Sequence, residues 1–383
     1  MNRKEIREIR TRFNPDEGNL SKIYGCYVNA GKEIVTELEL STMMMEKEEK
    51  EQYMTLLKKT LSGSLGRNLF NLEFATESVG NSDEHKLLMA LNESHLKDEN
   101  MRQLFYQRVI ETFKLEETSY VILLVSDIYD IPYKQGRSEE WDEDSTEQFD
   151  YFLCTICPVR DSKGALKYLA DEGNFRATST GSVLAPPVAG FMFPAFDDRA
   201  KNIYNLLYYT KSKAETHDEL MNGLLGIENS PMAAECQMNA FGTALSDALG
   251  KECSLDVVRT MTSQLMERIE LHKESKEPTE PEIMLDEVDR ILMSGGVSDD
   301  GIIEFNETVN RSFNGATSFN PENLVNNKTF ALETAEAKIT VDPEHIYQVR
   351  TEVIDGRNYI LIPVGEGVTV NGIDVSVGGN GDE

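Results

Sequence analysis

Apolar residues recur at helical spacing from the start of the chain. Ile6, Ile9 and Phe13 share one side of a short helix over residues 2–13, and Arg3, Arg7 and Arg10 share the neighbouring side. Asn14-Pro15 ends it. Lys22–Asn29 and Glu33–Glu39, separated by Ala30-Gly31-Lys32, read as the two strands of a hairpin. Helical spacing returns between Met45 and Leu61 and closes at Ser62-Gly63. Two further helices are expected near His85–Asn92 and Glu99–Phe113. Tyr120–Val125 and Tyr151–Val159 are dense in β-branched and aromatic residues, as buried strands of one sheet require.

Val183–Phe196 is apolar but holds Pro186, Pro187 and Pro194, so it is expected to run extended along the core. From Asp197 to about Met293 the spacing predicts helix almost throughout. Ala200, Ile203, Tyr204, Leu207 and Tyr208 fall at i, i+3, i+4, i+7 and i+8, and Leu255, Val258, Met261 and Leu265 repeat the pattern behind a capping Ser254. Lys273–Pro281 reads as a linker. Short strands are expected at 337–341, 348–353, 359–364, 367–370 and 373–377, with tight turns at Asp355-Gly356 and Asn371-Gly372 and a flexible tail over Gly378–Glu383. The expected fold class is α+β: a mixed α/β domain over 1–195, a helical domain over 196–295, and a C-terminal helix plus β-hairpin unit over 296–383.

Charge narrows the choice of partners. The 383 residues include 67 acidic and 38 basic side chains, a net charge of −29, which repels nucleic acid and anionic membrane over most of the surface. Seven acidic residues and no basic one fall within Ser138–Asp150, the composition of a solvated loop. The first twelve residues lack the apolar core of a signal peptide, and no apolar run approaches the roughly 20 residues of a membrane span. Five cysteines are too few and odd in number for a disulfide framework. A reducing cytoplasm is the expected compartment, with no membrane partner.

Four groups of residues could carry chemistry. Cys154 and Cys157 sit inside an apolar strand, with neither a helix start to lower a thiol pKa nor further ligands for zinc, and read as core. The five histidines show no metal-ligand spacing, and neither metal nor cofactor is expected. Ser62, Gly63, Gly66 and Arg67 form the nearest thing to an anion-binding loop, but it follows a helix where a phosphate loop would precede one, and a helix C-cap with its turn is the preferred reading. Asp197, Asp198 and Arg199 could hold a divalent metal or act as an acid/base pair, or could cap a helix running to about Tyr209. Arg3, Arg7 and Arg10 form a stripe that could meet phosphates or pair with the protein's own carboxylates.

Taken in order, KIYGCYVN, KKTLSGSLGRNLFNLEF, DEHKLLMAL, SDIYDIPY, LCTICPV, GFMFPAFDDRAKNIYNLLYYT and IDGRNYILI resemble a clostridial-type bacterial family, domain of unknown function 4317, over nearly the whole chain. That resemblance implies a cytoplasmic protein of Gram-positive anaerobes and brings no activity with it. In element order the chain is also similar to the 37-kilodalton nucleoid-associated protein family, a remote likeness that transfers no binding residues. The leading expectation is a non-catalytic intracellular binding or regulatory protein with a protein partner and a nucleoid association. Direct DNA contact is disfavoured by the net charge. The alternative is a carboxylate- and metal-dependent hydrolase using Asp197 and Asp198.

Overall fold

The computed structural model describes residues 1–17, 19–115, 117–134, 141–142, 147–162, 166–169, 174–177, 181–364 and 367–375. The class is α+β. The chain divides into two units, Met1–Ala234 with Pro278–Glu280, and Glu235–Glu277 with Pro281–Glu383.

The first unit begins with α1 (Arg3–Thr11), β1 (Lys22–Val28), β2 (Ile34–Ser41), α2 (Lys47–Thr60) and β3 (Leu69–Glu73). Helices α3 (Asp83–Glu93) and α4 (Glu99–Thr112) follow, then β4 (Tyr120–Asp130), the short pair β5 (Tyr133–Lys134) and β6 (Trp141–Asp142), and the long strand β7 (Gln148–Ser162). After a second short pair, β8 (Leu166–Leu169) and β9 (Asn174–Ala177), come β10 (Gly181–Leu184), β11 (Ala189–Phe193), β12 (Ala195–Asp197), β13 (Ala200–Asn202), β14 (Asn205–Thr210) and α5 (Asp218–Leu220). One antiparallel sheet runs β2-β1-β4-β7-β11-β14-β3, with β10 paired to β7.

Both faces of this sheet are covered, which is why its central strands read as unbroken apolar runs. Side chains still alternate. Ile122, Leu124, Phe152, Cys154, Ile156, Phe191 and Tyr208 enter one core with Leu87, Leu88 and Leu91 of α3 and Phe105, Tyr106 and Val109 of α4. Val121, Leu123, Val125, Tyr151, Leu153, Met192, Leu207 and Tyr209 enter the other, with Ile6 and Ile9 of α1, Phe13, and Met54 and Leu57 of α2. Each fully buried side chain of this size is worth about 1.5–3 kcal/mol.

Three expectations need correction. The helix expected from Asp197 to about Tyr209 is absent: the segment forms the β12–β13 hairpin and then β14, inside the sheet. Asp198 and Arg199 form its turn, with φ of 49° and 59°, so neither Asp197 nor Asp198 caps a helix. Leu206–Thr210 is buried on both sides, and a short doubly buried strand carries no alternation that would separate it from a helix segment. The element order behind the nucleoid likeness therefore loses its helix after Asp198-Arg199. The boundary expected at 195/196 falls within the first unit, inside β12 of the hairpin, and the helical character begins near residue 218. Most of the acidic run Ser138–Asp150 lies outside the described residues, as does the tail Gly378–Glu383; Gln148–Asp150 belong to β7.

The second unit holds α6 (Ala234–Leu249), α7 (Leu255–Ser275), β15 (Ile283–Met284), α8 (Leu285–Ser294), α9 (Asp299–Ser312) and β16 (Ser318–Phe319). Ser254 caps α7 by accepting from the Val257 N–H at 3.3 Å. Three hairpins end the chain: β17 (Phe330–Glu333) with β18 (Lys338–Val341), β19 (Arg350–Ile354) with β20 (Arg357–Leu361), and β21 (Val368–Val370) with β22 (Ile373–Val375). Positive φ at Asp355, Gly356, Asn371 and Gly372 matches the expected turns.

Candidate anion-binding site

Helix α1 presents three faces. Asn2 caps it: its Oδ1 accepts from the Lys4 and Glu5 N–H groups, and Glu5 Oε2 accepts from the Asn2 N–H at 2.7 Å. Ile6 and Ile9 enter the core beside Leu57, Leu61, Leu65 and Leu69. One flank is tied to the sheet by polar contacts. Arg12, just past the helix, holds Asp127 through Nε at 2.8 Å and Nη2 at 3.1 Å, and the wholly buried Tyr151 hydroxyl donates to the same carboxylate at 3.1 Å. Tyr129 donates to Glu8, which also receives the Arg199 guanidinium at 2.6 Å. Burial, then its hydrogen bond to Glu8, raises the Tyr129 phenol; burial, then the Asp127 charge, raises that of Tyr151 further, so both remain donors.

The other flank carries Arg3, Arg7 and Arg10 within about 60° of arc at roughly 100° per residue. With Lys58 of α2 they surround a cavity of about 430 Å³, whose apolar wall is Ile6, Leu61, Leu65 and Leu69. No carboxylate among the described residues lines it. Among the described residues none of these four cations forms an ion pair, and the buried Nε of Arg10 has no hydrogen-bond partner. Arginines at i, i+3 and i+4 repel one another by a few tenths of a kcal/mol per pair. The chain carries 67 acidic side chains, yet among the described residues none is paired with this stripe.

The loop after α2 brings Gly63 to the cavity and leaves Ser62, Gly66 and Arg67 off its lining. Its backbone donors serve its own turn. The N–H groups of Arg67, Asn68 and Leu69 reach the Ser64 carbonyl at 3.1–3.2 Å, that of Gly66 reaches Leu69 O at 2.9 Å, and that of Ser64 reaches Asn68 Oδ1 at 2.9 Å. The Ser62 hydroxyl donates to Lys58 O at 2.6 Å, and Arg67 has interactions of its own. The loop is thus a helix C-terminal turn. A Cβ at Gly63 would lie 2.9 Å from Asn68 Oδ1, so glycine permits the close return of the chain.

Asp197, Asp198 and Arg199 meet α1 from the β12–β13 turn. Asp197 lies 3.2 Å from the Met1 amino group and accepts from Asn202 at 3.3 Å. The Arg199 N–H donates to Glu5 Oε1 at 3.3 Å and its guanidinium to Pro132 O at 3.1 Å. Carboxylate oxygens of Glu5, Asp197 and Asp198 lie within 4.8 Å of one another. Three carboxylates can attract a cation, but both Glu5 oxygens already accept hydrogen bonds. The arrangement ties α1 to the hairpin.

A family model described as a domain of unknown function, DUF4317, matches residues 1–373. The chain belongs to this family. A comparison with curated proteins finds no match. The matched span contains every residue of the cavity and of the carboxylate group.

The remaining sequence candidates are structural. Cys154 and Cys157 are fully buried in β7, and burial pushes the Cys157 thiol up to about 12 and that of Cys154 well above its usual range. His85 is buried in α3, where Nδ1 accepts from the Gly80 N–H at 3.0 Å and Nε2 donates to Ile203 O at 2.9 Å. Lys58 and Glu5 were not singled out in the sequence. Lys58 is one lysine among several on α2, and only the packing of α2 beside α1 distinguishes it.

Proposed function

We propose that this is a non-catalytic intracellular binding or regulatory protein that captures a phosphate-bearing anion in the α1–α2 cavity. The observation that carries this reading is four cations around one cavity that have no carboxylate partner among the described residues, in a chain of net charge −29. Long-range attraction to polyanions is ruled out by the bulk charge, so the selectivity must be local. A binding role fits because, among the described residues, no histidine, cysteine or carboxylate lines the cavity, and the Thr11 hydroxyl there donates to Glu8 O at 2.7 Å. Three deeply buried reduced thiols suit a reducing compartment. The absence of a long apolar helix among the described residues fits a site that does not depend on a membrane span.

Anisotropy with a fluorescent DNA duplex tests the reading and its nucleoid-associated form together. Arg3 and Arg7 are exposed enough to meet backbone phosphates. With roughly two contacts, log affinity should fall against log salt with a slope of about −1.8. Arg3→Gln with Arg7→Gln and Arg10→Gln should abolish it. A protein that binds neither duplex nor inorganic phosphates at low salt would overturn the reading.

A further inference from the structure

Resting on that reading, we infer that the cavity takes a small organic diphosphate or triphosphate, with its condensed phosphates among the four cations and its uncharged part against the leucine wall. Arg3 and Arg10 are seven residues apart, about 10 Å along the helix, and Lys58 faces them from α2. Linked phosphates spread their charge over a longer span than one tetrahedral phosphate and so match this row of cations better. The volume of about 430 Å³ falls within the range of small-molecule sites, about 300–1,000 Å³. Ile6, Leu61, Leu65 and Leu69 line the cavity and are only 1–5% exposed, a narrow apolar floor for the rest of the ligand.

The same geometry separates such a ligand from a nucleic-acid backbone. Arg3 and Arg7 are exposed and available to both. Arg10 is half-buried with its Nε enclosed, and half-buried Lys58 stands on the second wall. A diphosphate that enters the cavity reaches these two; a phosphate held in a duplex stays at the rim. Charge-assisted hydrogen bonds to both should give a diphosphate an advantage that duplex DNA lacks.

Calorimetry of the full chain with inorganic pyrophosphate and with orthophosphate, at one ionic strength, tests the inference. Pyrophosphate should bind at least about tenfold more tightly, and Arg10→Gln and Lys58→Gln should each weaken it about tenfold. Lys4→Gln removes the same charge from an exposed α1 position off the lining and should leave binding unchanged. Circular dichroism of each variant checks that the fold is retained. Equal affinity for the two anions, or pyrophosphate binding indifferent to both Arg10→Gln and Lys58→Gln, would overturn the inference. Duplex binding that depends on Arg3 and Arg7 but is not displaced by pyrophosphate would also overturn it, while leaving the broader anion reading standing. Failure of every anion would remove both.

Discussion

Asp127→Ala should release α1 from the sheet, and with it one wall of the cavity. The Asp127 side chain is 3% exposed and neutralises Arg12, itself 21% exposed, through two short hydrogen bonds. Truncation leaves the fully buried Tyr151 hydroxyl without its acceptor and the Arg12 guanidinium without its counter-charge, with only the Ile128 carbonyl at 3.5 Å still accepting from it. Breaking a buried pair from one side costs about 3–5 kcal/mol. Arg12 can swing partly into water, so the low end, about 3 kcal/mol, is expected. Read by hydrogen exchange with mass spectrometry, that is about a hundredfold faster exchange for the α1 amides, at 1.4 kcal/mol per factor of ten. Asp127→Asn keeps an acceptor for Tyr151 and loses the charge, so an increase of roughly tenfold is expected. An Asp127→Ala protein whose α1 amides exchange less than about threefold faster would refute the reasoning, since Ile6, Ile9 and Phe13 would then hold the helix unaided.

Thiol reactivity tests the buried strands. Cys236 is exposed and should react first with a disulfide reagent, Cys253 more slowly, and Cys26, Cys154 and Cys157 only after denaturation. With its pKa pushed up to about 12, Cys157 is about one part in ten thousand thiolate at pH 8. The linkage has a definite sign: burial keeps the folded thiol protonated, so stability should be intact below about pH 9 and fall as pH rises from there towards about 12, which urea midpoints across that window would show. Gly190→Ala should destabilise the sheet by about 3 kcal/mol or more, because its Cβ would lie 2.4 Å from Cys154 O and 2.7 Å from Thr60 Cγ2. Near-native urea stability of that variant would contradict the close approach of β11 to β7 and α2.

Periodicity in the sequence determined α1 and the arginine stripe on it, because a helix places i, i+4 and i+7 on one side whatever surrounds it. It likewise determined the hairpin turns at Asp355-Gly356 and Asn371-Gly372, where local backbone preferences suffice. Local pattern could not decide β14. Leu206–Thr210 is buried from both sides, so its strand identity depends on hydrogen bonds to β3 and β11, residues far away in the chain. The same holds for Asp198 and Arg199. Before a helix Asp198 would have been a cap, whereas in the hairpin turn its carboxylate lies within 4.8 Å of that of Glu5, and Arg199 donates to Glu5 and Glu8, about 190 residues earlier. Only the tertiary structure decided which charges remain unneutralised. The arginine stripe was legible, but that α2 would set Lys58 across the cavity from it, and that no carboxylate among the described residues would line the space between, follows from both helices lying on one face of the sheet.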